Sequence, residues 1–254
     1  MTKIIDIVNW MNSKFPPESA FEWDNVGLLV GSDKGDTDSV VLTLDASTKA
    51  INMAKESGSK LIITHHPMIF GGIKTVTDTE PTGRMIIEMI KNDISCMAAH
   101  TNLDANSEVS NGYIANLLGV STYETLPNVF CGVVFDVEPT TVGAFVSRLV
   151  ETLKSSGAIT INNPAAGVKK VFYQGGAFDE DDIPVLLEAG VDTVVSGEIK
   201  HHLTVLLEEY GINTIIAGHN ATERLFMTKL ADEMQESFPE LQIFVDNGNE
   251  IRNI

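Results

Sequence analysis

From Val40 onward, short apolar runs of strand composition alternate with amphipathic segments of helical period, and a polar turn closes each run. Residues 40–44, 60–64, 94–99, 129–137, 168–173, 193–195, 214–217 and 241–245 read as strands. Residues 47–57, 83–92, 107–118, 141–155, 183–189, 201–210 and 221–237 read as helices, and Ile4, Ile5, Val8 and Met11 carry the helical spacing of one more at the start. Strands this short, with a helix in most connections, are covered on both faces and belong to an α/β protein with mainly parallel sheets. The alternation restarts after a turn-rich stretch at 125–129. Two α/β lobes are therefore expected, residues 1–126 and 127–254, with the C-terminal segment able to pack back on the first lobe.

The six histidines follow this pattern closely. His65 and His66 come directly after the strand ending at Thr64, and His100 directly after the strand 94–99. His201 and His202 follow the strand 193–195, and His219 follows the strand 214–217. In open α/β sheets the carboxyl ends of the strands are where ligands and chemistry collect. Carboxylates accompany them. Asp104 lies four residues after His100, and Glu223 four residues after His219 at the start of a long helix, where i and i+4 share a face. Glu198 and His202 have the same spacing and make a competing pair, ranked as a substrate contact or an outer support of the site.

Taken singly, each of these has an ordinary reading. A lone histidine is usually a satisfied core group. Asp104 or Asn106 could cap the helix expected from Ser107, and Glu223 could simply favour a helix N-terminus. Taken together, His65/His66, Asp104 and His219/Glu223 offer imidazole nitrogen and carboxylate oxygen without thiolate. That donor set suits two divalent transition-metal ions in a cleft between the lobes, whether zinc, iron, manganese, nickel or cobalt. Adjacent imidazoles past a strand end can serve different ions of a pair about 3.5–4 Å apart, and an aspartate can bridge them.

Composition limits the alternatives. Seventeen basic against thirty-five acidic residues give a net charge of −18, which disfavours a polyanion such as nucleic acid. No run approaches the roughly 20 apolar residues of a membrane span, and Asp6 and Asn9 interrupt the apolar stretch a signal peptide would need. Two cysteines, Cys96 and Cys131, lack zinc-finger spacing and read as buried free thiols. A cytoplasmic protein is expected.

The segments Trp23-Asp-Asn-Val-Gly-Leu28, Thr64-His-His-Pro67, His100-Thr-Asn-Leu-Asp104, Ser196-Gly-Glu198 and Gly218-His-Asn-Ala-Thr-Glu223 run through the chain in order. In this the chain closely resembles the Nif-three-like family of dinuclear metal proteins, whose bacterial members are often labelled GTP cyclohydrolase 1 type 2 homologues. The resemblance is to the short form, without the domain some members insert between the halves. It implies His65, His66, Asp104, His219 and Glu223 as metal ligands, Asp104 as the bridge, and His100 as a lining residue. It also implies a homohexamer, a trimer of dimers, with the metal sites facing an internal cavity. The activity expected is metal-dependent hydrolysis of a small molecule, with His100, Glu198 and His202 as candidates for proton transfer. GTP would be opened at C8 with loss of formate, yet the chain has no GxxxxGK[ST] phosphate loop. The alternatives are a non-catalytic metal-binding or partner-binding protein, or a phosphoesterase on another substrate.

Overall fold

The computed structural model describes residues 1–248. The elements begin with β1 (Thr2–Lys3), α1 (Ile4–Lys14), β2 (Gly27–Val30), β3 (Asp36–Thr37), β4 (Ser39–Thr43), α2 (Thr48–Ser57) and β5 (Leu61–Thr64). Next come α3 (Pro81–Lys91), β6 (Ser95–Ala98), α4 (Thr101–Asp104), α5 (Asn111–Leu117), β7 (Val133–Thr141), α6 (Val142–Leu153) and β8 (Gly167–Ala177). The chain ends with α7 (Ile183–Glu188), β9 (Thr193–Glu198), α8 (His201–Glu209), β10 (Asn213–Ile216), α9 (His219–Ser237) and β11 (Gln242–Asp246). The fold is α/β with parallel-rich sheets, as expected.

The chain forms two compact units, Met1–Asn106 with Met227–Gly248, and Ser107–Phe226. The sequence predicts a division at 126/127 with the C-terminal segment able to pack back on the first lobe; the packing divides the chain ahead of α5, and the segment from inside α9 does return to the first unit. The reason lies in the sheets. Helix α5 packs on β7 and β8, and β11 pairs with β4, so each segment joins the sheet it touches.

In the first unit the sheet runs β11-β4-β5-β6-β2. Its first four strands are parallel, and β2 adds an antiparallel edge beside β6. Strands β4, β5 and β6 are buried at every position, as expected when helices cover both faces. Val41, Ile62 and Cys96 pack against Ala50, Ile51 and Ala54 of α2 and Ile86 and Met89 of α3. Helix α1 buries Ile4, Ile7, Val8 and Met11 along one stripe. Helix α2 starts on Ser47, whose hydroxyl accepts from the Ala50 amide at 3.1 Å, and stops at Gly58 in the left-handed conformation.

In the second unit the sheet runs β10-β9-β8-β7, parallel apart from β7. Phe172 and Val194, paired in register, face Leu186, Leu203 and Leu207 in a core built with α7 and α8. Tyr173, next in sequence, turns to the opposite face, and its hydroxyl donates to the Thr222 carbonyl of α9 at 2.9 Å.

Three local expectations change. The helix expected over 107–118 starts only at Asn111, after the short helix α4 and a run of turns, and no side chain caps it. Asn111 is used otherwise: its side-chain oxygen accepts from the Gly175 amide at 2.8 Å. The long helix begins at His219 rather than at 221. Cys96 is buried, which pushes its thiol up to about 12, whereas Cys131 is only half-buried; neither is in a disulfide.

Candidate metal centre

All six histidines do lie beyond the carboxyl ends of strands: after β5, β6, β9 and β10. In the first unit His65, His66 and His100 converge, with one ring nitrogen of each within 4.8 Å of the others. The imidazoles sit 5.0–5.6 Å apart between centroids.

The other ring nitrogen of each is engaged. His65, fully buried, has Nδ1 3.0 Å from the Ala99 carbonyl oxygen, which can only accept, so Nδ1 carries the proton. His66 Nδ1 is 2.8 Å from Asp45 Oδ1. His100 Nδ1 is 3.0 Å from both oxygens of Asp24, which also accepts from the amide and hydroxyl of Thr101. With Nδ1 donating in each case, all three rings present Nε2 as the electron-pair donor. A carboxylate or carbonyl holding the far side of a ring is the usual support of a metal-binding histidine. Asp104, at the end of α4, brings Oδ1 to 3.6 Å from His65 Nε2. It caps no helix: α5 has no side-chain cap.

Electrostatics follow from burial. The His100 imidazole is held down at about 4, first by burial and then by His65 and His66, against the pull of Asp24. Burial alone would raise the Asp24 carboxyl, but hydrogen bonds from Thr101 and His100 outweigh it and leave it below its ordinary 3.8. A neutral imidazole is the form a divalent ion requires of a ring beside it, and His100 is held in that form. Phe21, Trp23 and Phe70 form an aromatic wall beside the cluster, with Trp23 and Phe70 both set edge-on to His100. Asn25 fastens the loop after Pro67 by donating to the Ile69 carbonyl at 2.5 Å.

The second unit contributes a pair of its own. At the first turn of α9, His219 Nε2 lies 3.1 Å from Glu223 Oε2, and its Nδ1 lies 3.3 Å from Glu198 Oε1 at the end of β9. Gly218, at φ +91°, permits the tight entry into the helix. Two glycines leave room for the pair, Gly176 for the carboxylate and Gly197 for the start of the helix. A Cβ on Gly176 would run into Glu223 Oε1, and a Cβ on Gly197 would come within 2.7 Å of the His219 Cα. Beside His219, at the carboxyl ends of β9 and β10, a cleft of about 190 Å³ opens, lined among others by Ser155, Ala158, Ile159 and Glu198.

These donors fit a divalent ion. Two ligands about 2.1 Å from one ion at a tetrahedral angle lie roughly 3.4 Å apart. The separations of 3.6 Å for His65–Asp104 and 3.1 Å for His219–Glu223 bracket that value. The glycine cradle keeps the Glu223 carboxylate in place without crowding.

The expected Glu198–His202 pair does not form. Residues i and i+4 meet only on one helix, and here Glu198 ends β9 while His202 belongs to α8. His202, exposed, faces Glu180 at 3.5 Å, and Glu198 turns to His219 instead. The anchors Asp24 and Asp45 escaped the sequence-based set. Asp24 lies inside the quoted Trp-Asp-Asn segment, and Asp45 follows the end of β4, so position past a strand end was the available signal.

The chain matches the Duf34/NIF3 (NGG1p interacting factor 3) family over residues 2–250. A Clostridium perfringens protein described as a GTP cyclohydrolase 1 type 2 homolog is 30% identical over 249 residues, covering 92% of each chain. The same fold occurs in the Staphylococcus aureus hypothetical protein SA1388, with TM-score 0.89, 24% identity and coverage of 100% and 99%. It occurs again in a Bacillus cereus protein related to NIF3, with TM-score 0.86, 20% identity and coverage of 98% of each chain. The family match and the full-length Clostridium relative agree: this chain belongs to the Duf34/NIF3 family.

Proposed function

We propose that this protein is a hydrolase that works through two divalent transition-metal ions held by His65, His66, Asp104, His219 and Glu223, with Asp104 as the bridge. The observation that carries the proposal is the uniform anchoring of the imidazoles. His65 and His66 each have Nδ1 on a carbonyl or carboxylate oxygen, so each presents Nε2, and His219 is held between Glu198 at Nδ1 and Glu223 at Nε2. Two such ions, when bound, supply an activated water and a Lewis acid at neutral pH. The chain's own residues do the rest. Asp45, Glu198 and Asp24 orient the imidazoles, burial beside His65 and His66 keeps His100 neutral, and His100, Glu198 and His202 are the candidates to carry protons.

Elemental analysis of the purified protein tests the dinuclear reading: about two transition-metal ions per chain are expected, and one or none sinks it. Glu223→Ala should lower the metal content with the fold retained; unchanged content refutes the ligand role. The name carried by the Clostridium relative makes GTP the first substrate to try, followed by other nucleotides and phosphoesters. Metal-loaded wild type should turn one of them over, and His219→Ala should not.

One observation favours a second reading. His100 adds a third imidazole within reach of the His65–His66 donors, and an ion enclosed by protein ligands stores or carries metal instead of activating water. Water-proton relaxation on the Mn²⁺-loaded protein separates the two, because only an open site exchanges water. The working form we propose is a cytoplasmic homohexamer, a trimer of dimers, as the family resemblance implies; light scattering after size exclusion tests the assembly.

A further inference from the structure

We propose that the cleft beside His219 is the seat of the substrate, and that it selects a neutral or cationic, ring-sized group bearing N–H donors over an anionic one. The proposal deepens the hydrolase reading and depends on it for the word substrate; the binding it describes does not need the metal.

The cleft lies at the carboxyl ends of β9 and β10, the edge of an α/β sheet where ligands gather. Its far wall is the loop after α6, which adds to the sheet edge through the pairing of Ile159 with Ile216. A volume of about 190 Å³ holds one six-membered ring with a small substituent. For comparison, an apolar cavity of roughly 150 Å³ accepts benzene. Ala158, Ile159, Ile216, Ala217 and Ala221 give the apolar walls, and His219 stands in the lining itself. Anything seated there touches a residue of the proposed metal centre.

Charge decides the class. Among the described residues the lining includes no lysine or arginine, and its one carboxylate is Glu198. The first turn of α9 also contributes, and by itself a helix N-terminus attracts anions, with about half a positive charge. Glu198 brings a whole negative charge to the same wall, 3.3 Å from the His219 ring. The larger charge wins, and an anion pays for its approach to the carboxylate. A nitrogen-bound hydrogen can donate to it. For the ring-sized group seated in the cleft of the metal-free chain, as distinct from a phosphate held outside it by the ions, this favours amides, ureides and amidines over anions.

The test uses three probes of one size on the full chain stripped of metal: benzamidine, benzamide and benzoate, with ligand-observed NMR as the readout. Benzamidine should bind at least roughly tenfold tighter than benzoate, with benzamide between them. Glu198→Gln should bring the three together, and Ala158→Phe, which narrows the cleft, should weaken all three by a similar factor. Tightest binding by benzoate overturns the proposal in favour of an anion site at the helix start. No binding by any probe, or binding indifferent to both substitutions, overturns it as well. Absence of metal in the purified protein would defeat the hydrolase reading and leave these probe results standing, so the two failures are distinguishable.

Discussion

His100 Nδ1 sits 3.0 Å from both oxygens of an Asp24 carboxylate whose side chain is fully buried. Seventy-six residues separate them, and the same carboxylate accepts from the Thr101 amide at 3.1 Å and from its hydroxyl. One buried anion thus satisfies four donors, three at the corner between β6 and α4 and the Asn25 amide beside it. Asp24→Asn places an amide where only acceptors are wanted, so at least one donor loses its partner. A cost of about 2 kcal/mol is expected for a charge-assisted buried bond. Urea denaturation measures it, and a loss under about 0.5 kcal/mol would mean the carboxylate is not the organiser of this corner. The pH sign is fixed by the direction of the shift. The folded carboxyl lies below its ordinary 3.8, so its contribution is complete above that value and disappears as pH falls through the folded one.

Glu198 is the corresponding support in the second unit, and it is more than half exposed. Removing it should cost little stability, because solvent replaces it at the His219 Nδ1. Metal affinity should fall roughly 10- to 100-fold in Glu198→Ala, the usual effect of losing an outer partner of a metal-bound imidazole. Glu198→Gln keeps an acceptor oxygen and should recover part of the loss. Competitive chelator titration reads both. Equal affinities in wild type and Glu198→Ala would show that His219 needs no such support.

Gly176 and Gly190 provide a matched pair. Both have positive φ, +70° and +71°, so alanine strains the backbone alike, by about 1–2 kcal/mol. A Cβ on Gly190 meets nothing within 4 Å, whereas one on Gly176 strikes the Glu223 carboxylate. Both alanine variants should be destabilised in urea, and only Gly176→Ala should also lose metal. If the two lose metal equally, the cradle has no part in placing Glu223.

Much of this site could be read from the sequence, because a histidine directly after a short apolar run is a local signal. His65, His66, His100 and His219 needed only the end of a strand to be recognised. Their supports needed the fold: Asp45 reaches His66 from another strand end, and nothing local announces that contact. The i,i+4 spacing worked for His219 and Glu223, which share α9, and failed for Glu198 and His202, where a strand ends and a helix begins between them. The parallel strands were legible as unbroken apolar runs. The edge strand β2 was not, since only one of its four residues is buried and its identity rests on pairing with β6. The lobe division misplaced 107–126, because no residue there announces that α5 packs on β7 and β8.

Asp182 gives a pH prediction away from the metal ligands. It lies at the start of α7, 5% exposed, with Oδ2 buried and without a hydrogen-bond partner among the described residues. Burial first, then Asp179 and Asp181, push its carboxyl up to about 7, against a hydrogen bond from Gln174. The folded value is above the unfolded 3.8, so the fold binds the extra proton and stability falls with rising pH across that interval. The contribution is complete below 3.8 and gone once pH passes through 7. Asp182→Asn removes the ionisation and keeps an acceptor for Gln174. Its advantage over wild type should grow by on the order of 2 kcal/mol between pH 5 and pH 8, at about 1.4 kcal/mol for each pH unit of the window. Urea denaturation at the two pH values measures the change. An advantage of the same size at both would mean that Asp182 is already ionised in the fold at pH 5, and that a neighbour has supplied the charge that burial withholds.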